Sequence, residues 1–335
     1  MYTDEDLDFA EKEGVFSAES VAKFRVLLSE QKNAPSADEE NFRLISGFND
    51  IFVVIACTLL LFSSLWAFKS VTENDSLGLI TFTILSWFLA EFFVLKRKMA
   101  LPAIVLLLSF IGGLFALVIS FFSPPSEISF ISAAAISTVA AYFHWLRFRV
   151  PITIAVGNAA AVGLVVSITL SIFPEVNNWL LVIIFLCGLI TFFIAMYWDA
   201  SDTMRTTRHA DVAFWLHLLS APLIIHPVFS SLGVLDGNES IGSMAIVVIL
   251  YIIMTLISIV IDRRAFMVSS LVYVLYAITS LIKAYGDVGY SFALTGVFMG
   301  GMLLLLSAFW HKVRASLIKK LPVPVKLHVP KSDLT

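Results

Sequence analysis

From residue 50 onward, long apolar runs alternate with short polar clusters. Ten runs, at about 50–68, 77–95, 101–122, 128–146, 150–173, 179–197, 211–231, 242–261, 265–283 and 289–310, have the length of a helix that crosses a bilayer. The polar clusters between them alternate in sign. One set carries Lys96, Arg97, Lys98, Arg147, Arg149, Arg205, Arg208, Arg263 and Arg264. The other carries only Lys69 and Lys283, beside Glu73, Asp75, Glu127, Glu175, Asp236, Glu239 and Asp287. Cationic loops stay on the cytoplasmic side, so the pattern predicts an all-α polytopic membrane helix bundle of about ten transmembrane helices with both termini cytoplasmic.

Composition agrees with that pattern. Apolar residues make up 59% of the 335-residue chain and charged residues 14%, with a mean hydropathy of +0.91. A soluble domain has about 45–50% and about 25%. An ordinary cytosolic enzyme and a disordered chain are excluded. Cys57 and Cys187 each lie inside an apolar run, where they read as small hydrophobes. The acidic, polar N-terminus does not read as a cleavable signal.

Three regions follow: an acidic helical hairpin and linker over 1–48, the membrane domain over 49–310 and a basic tail over 311–335. Residues 1–40 hold eleven acids and four bases, while 311–335 hold six bases and one acid. Thr3 and Ser17 occupy helix N-cap positions and Gly14 suits a left-handed helix end, predicting helices at about 4–13 and 18–32. A linker over 33–40 and a short amphipathic helix with Phe42, Leu44, Ile45 and Phe48 lead into the membrane. The hairpin reads as a docking module for a cytoplasmic protein or as a cap on the bundle. The tail reads as an anchor for anionic lipid.

Small residues mark close helix approaches: Ser129, Ala133, Ser137 and Ala141 in the fourth run; Ala155, Ala159, Gly163 and Ser167 in the fifth; Gly296 and Gly300 in the tenth. They read as packing seams within one bundle.

Ionisable groups at membrane depth are the candidate chemistry, because the hydrocarbon makes them costly. Glu91 lies near the cytoplasmic end of the second run, within reach of water or Lys98. Asp50 and Asp262 sit at run ends, where interfacial roles suffice, and Asn158 suits an interhelical hydrogen bond. The densest stretch is 197–227. Its Asp199, Asp202, Arg205, Arg208, His209 and Asp211 would form a cytoplasmic mouth, in which Arg208 and Asp211 are spaced to pair. At about 1.5 Å per residue, His217 lies roughly 9 Å inward of Asp211 and His226 roughly 22 Å. Nine residues apart, the two histidines point to opposite sides and cannot share a metal ion. Pro222 and Pro227 predict a kinked or broken seventh helix.

The segments AEKEGVFSAESVAKFRVLL, GFNDIF, RFRVPITIA, DVAFWLHLLSAPLIIHP, IDRRAFMVSSLVYVLYAI and LLLLSAFWHKVR resemble predicted inner-membrane proteins of a bacterial family of unknown function. Its members place a short helical hairpin before many spans. The resemblance implies a bacterial cytoplasmic membrane and assigns no activity.

A broken helix with two histidines fits a small-solute or proton-linked transporter, whose proton or solute pathway would use His217, His226, Asp211, Arg208, Asp202, Asp199, Glu91 and Asn158. A non-catalytic scaffold, sensor or accessory subunit recruiting a partner through the hairpin is the alternative. An intramembrane enzyme with His217 or His209 as base lacks a recognisable nucleophile. Nothing in the sequence calls for a metal ion, a cofactor or nucleic acid.

Overall fold

Each apolar run closes its backbone hydrogen bonds within itself, as lipid requires. In the computed structural model, which describes residues 4–31, 48–72, 75–173, 179–202, 207–232, 241–286 and 291–322, all ten runs are helical and no strand occurs among the described residues. The chain divides into two compact units, 1–43 and 44–335.

The first unit holds α1 (Asp4–Lys12) and α2 (Ala18–Gln31). Gly14 turns between them at φ +72°, and the Ser20 N–H donates to Ser17 Oγ at 3.2 Å, which caps α2. Val21 is buried, while Phe9, Val15, Phe16 and Phe24 are exposed. The expected linker and the residues 41–47 of the amphipathic helix lie outside the described residues, as does the tail beyond 322.

The second unit comprises α3 (Phe48–Thr72), α4 (Asp75–Ala90), α5 (Ala100–Ser120), α6 (Glu127–Phe148), α7 (Ile152–Ile172), α8 (Leu180–Ser201), α9 (Arg208–Ser230), α10 (Ile241–Ile261), α11 (Ala265–Gly286) and α12 (Ser291–Lys320). A π-helical turn, Glu91–Lys96, extends α4. Among the described residues nine helices are long and apolar enough to cross a membrane, and α11 contributes the shorter apolar stretch Ala265–Ser280. This is an integral, multi-pass membrane protein. Its exposed apolar side chains, such as Phe52, Trp66, Val297 and Leu304, form a surface that only lipid can solvate.

Most sequential membrane helices pack as neighbours, with α3, α4 and α5 grouped together and α9 set among α7, α8 and α11. In α9, 56% of the apolar window is buried, against at most 39% in any other span, so α9 is the central helix. Its Ala221, Ile224, Ile225 and Phe229 join Met244, Phe266 and Ala277 in one core cluster. Gly188 of α8 permits this approach: a Cβ there would lie 2.9 Å from the Leu223 carbonyl carbon and from Leu223 Cβ.

Of the two expectations for the seventh helix, kinked or broken, the structure corrects the second. Helix α9 runs unbroken through Pro222 and Pro227. Each proline removes one backbone donor, a cost of about 3 kcal/mol in a helix interior, and the packing of α9 against α7, α8 and α11 opposes it.

Of the small-residue seams, the one on α6 is buried throughout. On α7 only Ala155 of the four is buried. Gly157 makes the close approach instead, where a Cβ would lie 3.2 Å from Ala141 Cβ. No atom would meet a Cβ at Gly296 or Gly300 within 4 Å.

Candidate functional site

Three elements converge on one carboxylate. Asp199 lies in the last turn of α8, His217 on the inner face of α9, and Arg263 in the three-residue turn between α10 and α11. All three are buried, at 1%, 0% and 3% exposure. Arg263 Nη2 donates to Asp199 Oδ1 at 2.6 Å, and Arg263 Nε lies 3.4 Å from Oδ2. His217 Nε2 donates to Oδ2 at 2.9 Å, which places that ring proton on the nitrogen facing the carboxylate.

The local sequence explains how an arginine fits inside the bundle. Ala210 and His217 are seven residues apart, two turns of one helix face, and the small side chains of Ala210 and Ala213 leave room beside the histidine. Arg263 occupies that room. Its Nη2 also donates to the Ala210 carbonyl at 3.1 Å, and its guanidinium lies 5.9 Å from the Phe214 ring centroid. Phe192 and Phe266 meet the His217 ring edge-on, with centroids 5.5 and 6.4 Å away. One anion and one cation therefore meet inside an apolar and aromatic shell, with the His217 ring between the carboxylate and the core. Arg263 was assigned by sequence to the cytoplasmic charge set alone. The one sequence feature that goes with its turning inward is the small Ala210, whose carbonyl it reaches on α9.

The other predicted site residues separate into distinct roles. Asp199 and Asp202 do not line an open mouth. Asp199 is neutralised by Arg263, and Asp202, 7% exposed, accepts from Thr207 N at 2.8 Å and Thr207 Oγ1 at 2.7 Å, closing the loop before α9. Thr207 Oγ1 in turn accepts from His209 N at 3.2 Å and caps α9. His209 is exposed, with Nδ1 3.2 Å from Ser201 Oγ. Arg205 lies outside the described residues. Arg208 is exposed and Asp211 half-buried, and they form no ion pair with each other; both Arg263 and Arg208 act electrostatically on Asp211.

His226 is remote from this cluster. Its Nδ1 lies 2.6 Å from Tyr273 Oη on α11. The structure thus gives the two α9 histidines separate partners, and no group of three or more His, Cys, Asp or Glu among the described residues is placed to hold a metal ion. Asn158 Oδ1 accepts from Thr191 Oγ1 at 2.9 Å, an interhelical bond from α8 to α7.

Glu91 does not reach Lys98. Arg147 of α6 donates to it through Nε at 2.8 Å and Nη2 at 2.7 Å, a forked geometry that a lysine cannot offer. The π-helical turn that Glu91 opens ends at Lys96, and Lys98 just beyond it is held at φ +52°. A further buried histidine, His144, carried no sequence signal. It is 1% exposed among Trp87, Phe110 and Phe148, with Nδ1 3.3 Å from Thr153 Oγ1.

The chain matches no protein-family model, no curated protein and no solved structure.

Proposed function

We propose that this protein is a proton-linked transporter of a small solute in a bacterial inner membrane, and that Asp199, His217 and Arg263 form its proton-binding element. The observation that carries the reading is the buried carboxylate shared by His217 and Arg263 where α8, α9 and the α10–α11 turn meet. Ionisable groups buried in a membrane bundle are expensive and serve pathways and relays. Paired with Arg263 the carboxylate is held ionised, so Asp199 carries either Arg263 or a proton, and proton uptake accompanies the departure of Arg263. The junction then loses its ionic bond, and the three elements are free to separate. His217 offers the next proton acceptor toward the middle of the membrane. Alternating access needs such a junction, whose bonds exist in one protonation state and not in the other.

Proteoliposomes enclosing a pH-sensitive dye test this. Wild type should acidify the lumen when an inward proton gradient and a permeant solute are supplied, and His217→Gln should do so far more slowly while reaching the same membrane abundance. Equal fluxes would remove the site from the mechanism.

A second reading draws on the first unit. Phe9 at 65% and Val15 at 68% exposure give the α1–α2 hairpin an uncovered apolar surface. That surface suits a scaffold or accessory subunit that recruits a cytoplasmic protein. A partner recovered in equal amounts from membranes, and lost on Val15→Asp, supports it.

A further inference from the structure

The α10–α11 turn faces two ways. Asp262 and Arg263 are adjacent, buried and opposite in charge. Arg263 points to Asp199 and the Ala210 carbonyl. Asp262, held at φ +56°, points instead to α12, where Trp310 Nε1 donates to its Oδ1 at 2.7 Å and Arg314 Nε lies 3.6 Å from the same oxygen. The Arg264 guanidinium lies 5.2 Å from the Trp310 ring centroid. The turn is itself stiff, since the Ser258 hydroxyl donates to the Arg263 carbonyl. Left-handed backbone is disfavoured for residues other than glycine, and aspartate is among those that tolerate it best. The conformation aims the two neighbouring charges at different helices.

Trp310 and Arg314 are 2% and 1% exposed, although they lie in the last three turns of a 30-residue helix. Beyond them α12 carries exposed Ser316, Lys319 and Lys320. Helix α12 packs on α10 and α11, and the Asp262 carboxylate ties its C-terminal turns to the residue next to Arg263.

We propose that the α10–α11 turn is a coupling element: release of Arg263 from Asp199 shifts Asp262 and, through Trp310 and Arg314, displaces the C-terminal turns of α12. The inference rests on the reading of Asp199 as a proton-binding group. The charged and titratable groups at the two ends of the device are His217 and Arg263 on Asp199, with Asp202, Arg208 and Asp211 around its cytoplasmic side, and Trp310, Arg314 and Arg264 around Asp262. A rigid turn gripped at both ends has to carry motion from one grip to the other. A turn that served only packing would need no charge on its α12 side, where an apolar residue of similar volume would be cheaper to bury.

The test is a distance between spin labels at Leu146→Cys and Ser316→Cys, with Cys57 and Cys187 replaced by alanine, measured in proteoliposomes at about pH 5.5 and about pH 8, either side of the histidine range. Lumenal dye reports proton uptake in the same samples. The expected result is a distance distribution that changes with pH in the otherwise wild-type chain, stays acid-like at both values in Asp199→Asn, and stops responding in Asp262→Asn and Trp310→Phe, both of which keep proton uptake. Trp310→Phe keeps an aromatic side chain without the indole donor and leaves Asp262 in place, so it guards against a misfolded Asp262 variant. An unchanging distribution in a chain that takes up protons would overturn the coupling and leave the proton site standing. A response persisting in both Asp262→Asn and Trp310→Phe would overturn the route through Asp262. Absence of proton uptake in the wild-type chain would overturn the transport reading, and the coupling with it.

Discussion

Asp199 sets the energetics of the site, because Arg263 has no other carboxylate at hydrogen-bond distance among the described residues. Removing one partner of a buried pair leaves an uncompensated charge, at a cost of about 3–5 kcal/mol. Arg263→Met and Asp199→Leu should each lower stability by that order, and the double variant should recover much of the loss because it buries no charge. Denaturation in detergent micelles measures this, and simple additivity would mean that the two groups do not interact. His226 makes a different prediction. Its bond is to a neutral phenol, so Tyr273→Phe should cost about 1 kcal/mol and leave flux unchanged. Sequence identified Asp199 and His217 as chemistry but not the second partner of Asp199. Arg263 is separated from Asp199 by 64 positions, and its own neighbours Asp262 and Arg264 make it look like one more interfacial cation. Glu91 is the same case: the near cation, Lys98, is seven residues away, while the one that binds it is 56 away on α6.

At the scale of the element, α9 carries the polar burden of the bundle and is also its most buried helix. The apolar run and both histidines were legible along the chain, whereas the Thr207 cap emerged only from the fold. Continuity through Pro222 and Pro227 was not legible, because proline states the loss of one donor and says nothing of what a neighbouring helix supplies. The supply comes from α8 at Gly188. Gly188→Val should lose about 1–3 kcal/mol by overpacking against the Leu223 backbone. Gly163→Ala on α7, where no atom lies within 4 Å of a built Cβ, should be neutral or stabilising by up to about 1 kcal/mol, since alanine is the better helix former. Thermal unfolding of the two variants side by side checks the contrast, and equal effects would show that α8 and α9 are not closely packed at this level.

At the helix ends across the whole molecule, the polar links between helices follow the charge alternation of the loops. Lys69 pairs with Asp75 at 2.9 Å and Ser76 with Ser120 at 3.0 Å, both at ends assigned to the external side. Glu91 with Arg147, Asp199 with Arg263, and Asp262 with Trp310 all join ends assigned to the cytoplasmic side. The all-α bundle and the order of its helices were therefore legible, since hydrocarbon thickness writes directly into sequence, while nine of the ten runs reach spanning length among the described residues. Which cytoplasmic charges turn inward was not legible, because that depends on gaps between helices distant along the chain. Cysteines at Ser201 and Ser316 should both react with a membrane-impermeant thiol reagent only from the cytoplasmic side, and opposite accessibility would refute the topology.

The central claim is that Asp199 takes up a proton within the bundle. Infrared difference spectra of the reconstituted protein between neutral and acid pH measure that directly, since a protonated carboxylic acid has a carbonyl stretch that a carboxylate lacks. The account predicts a buried-carboxylic-acid band in the wild type that is missing from Asp199→Asn and shifted in His217→Gln. An unchanged band in Asp199→Asn would contradict it.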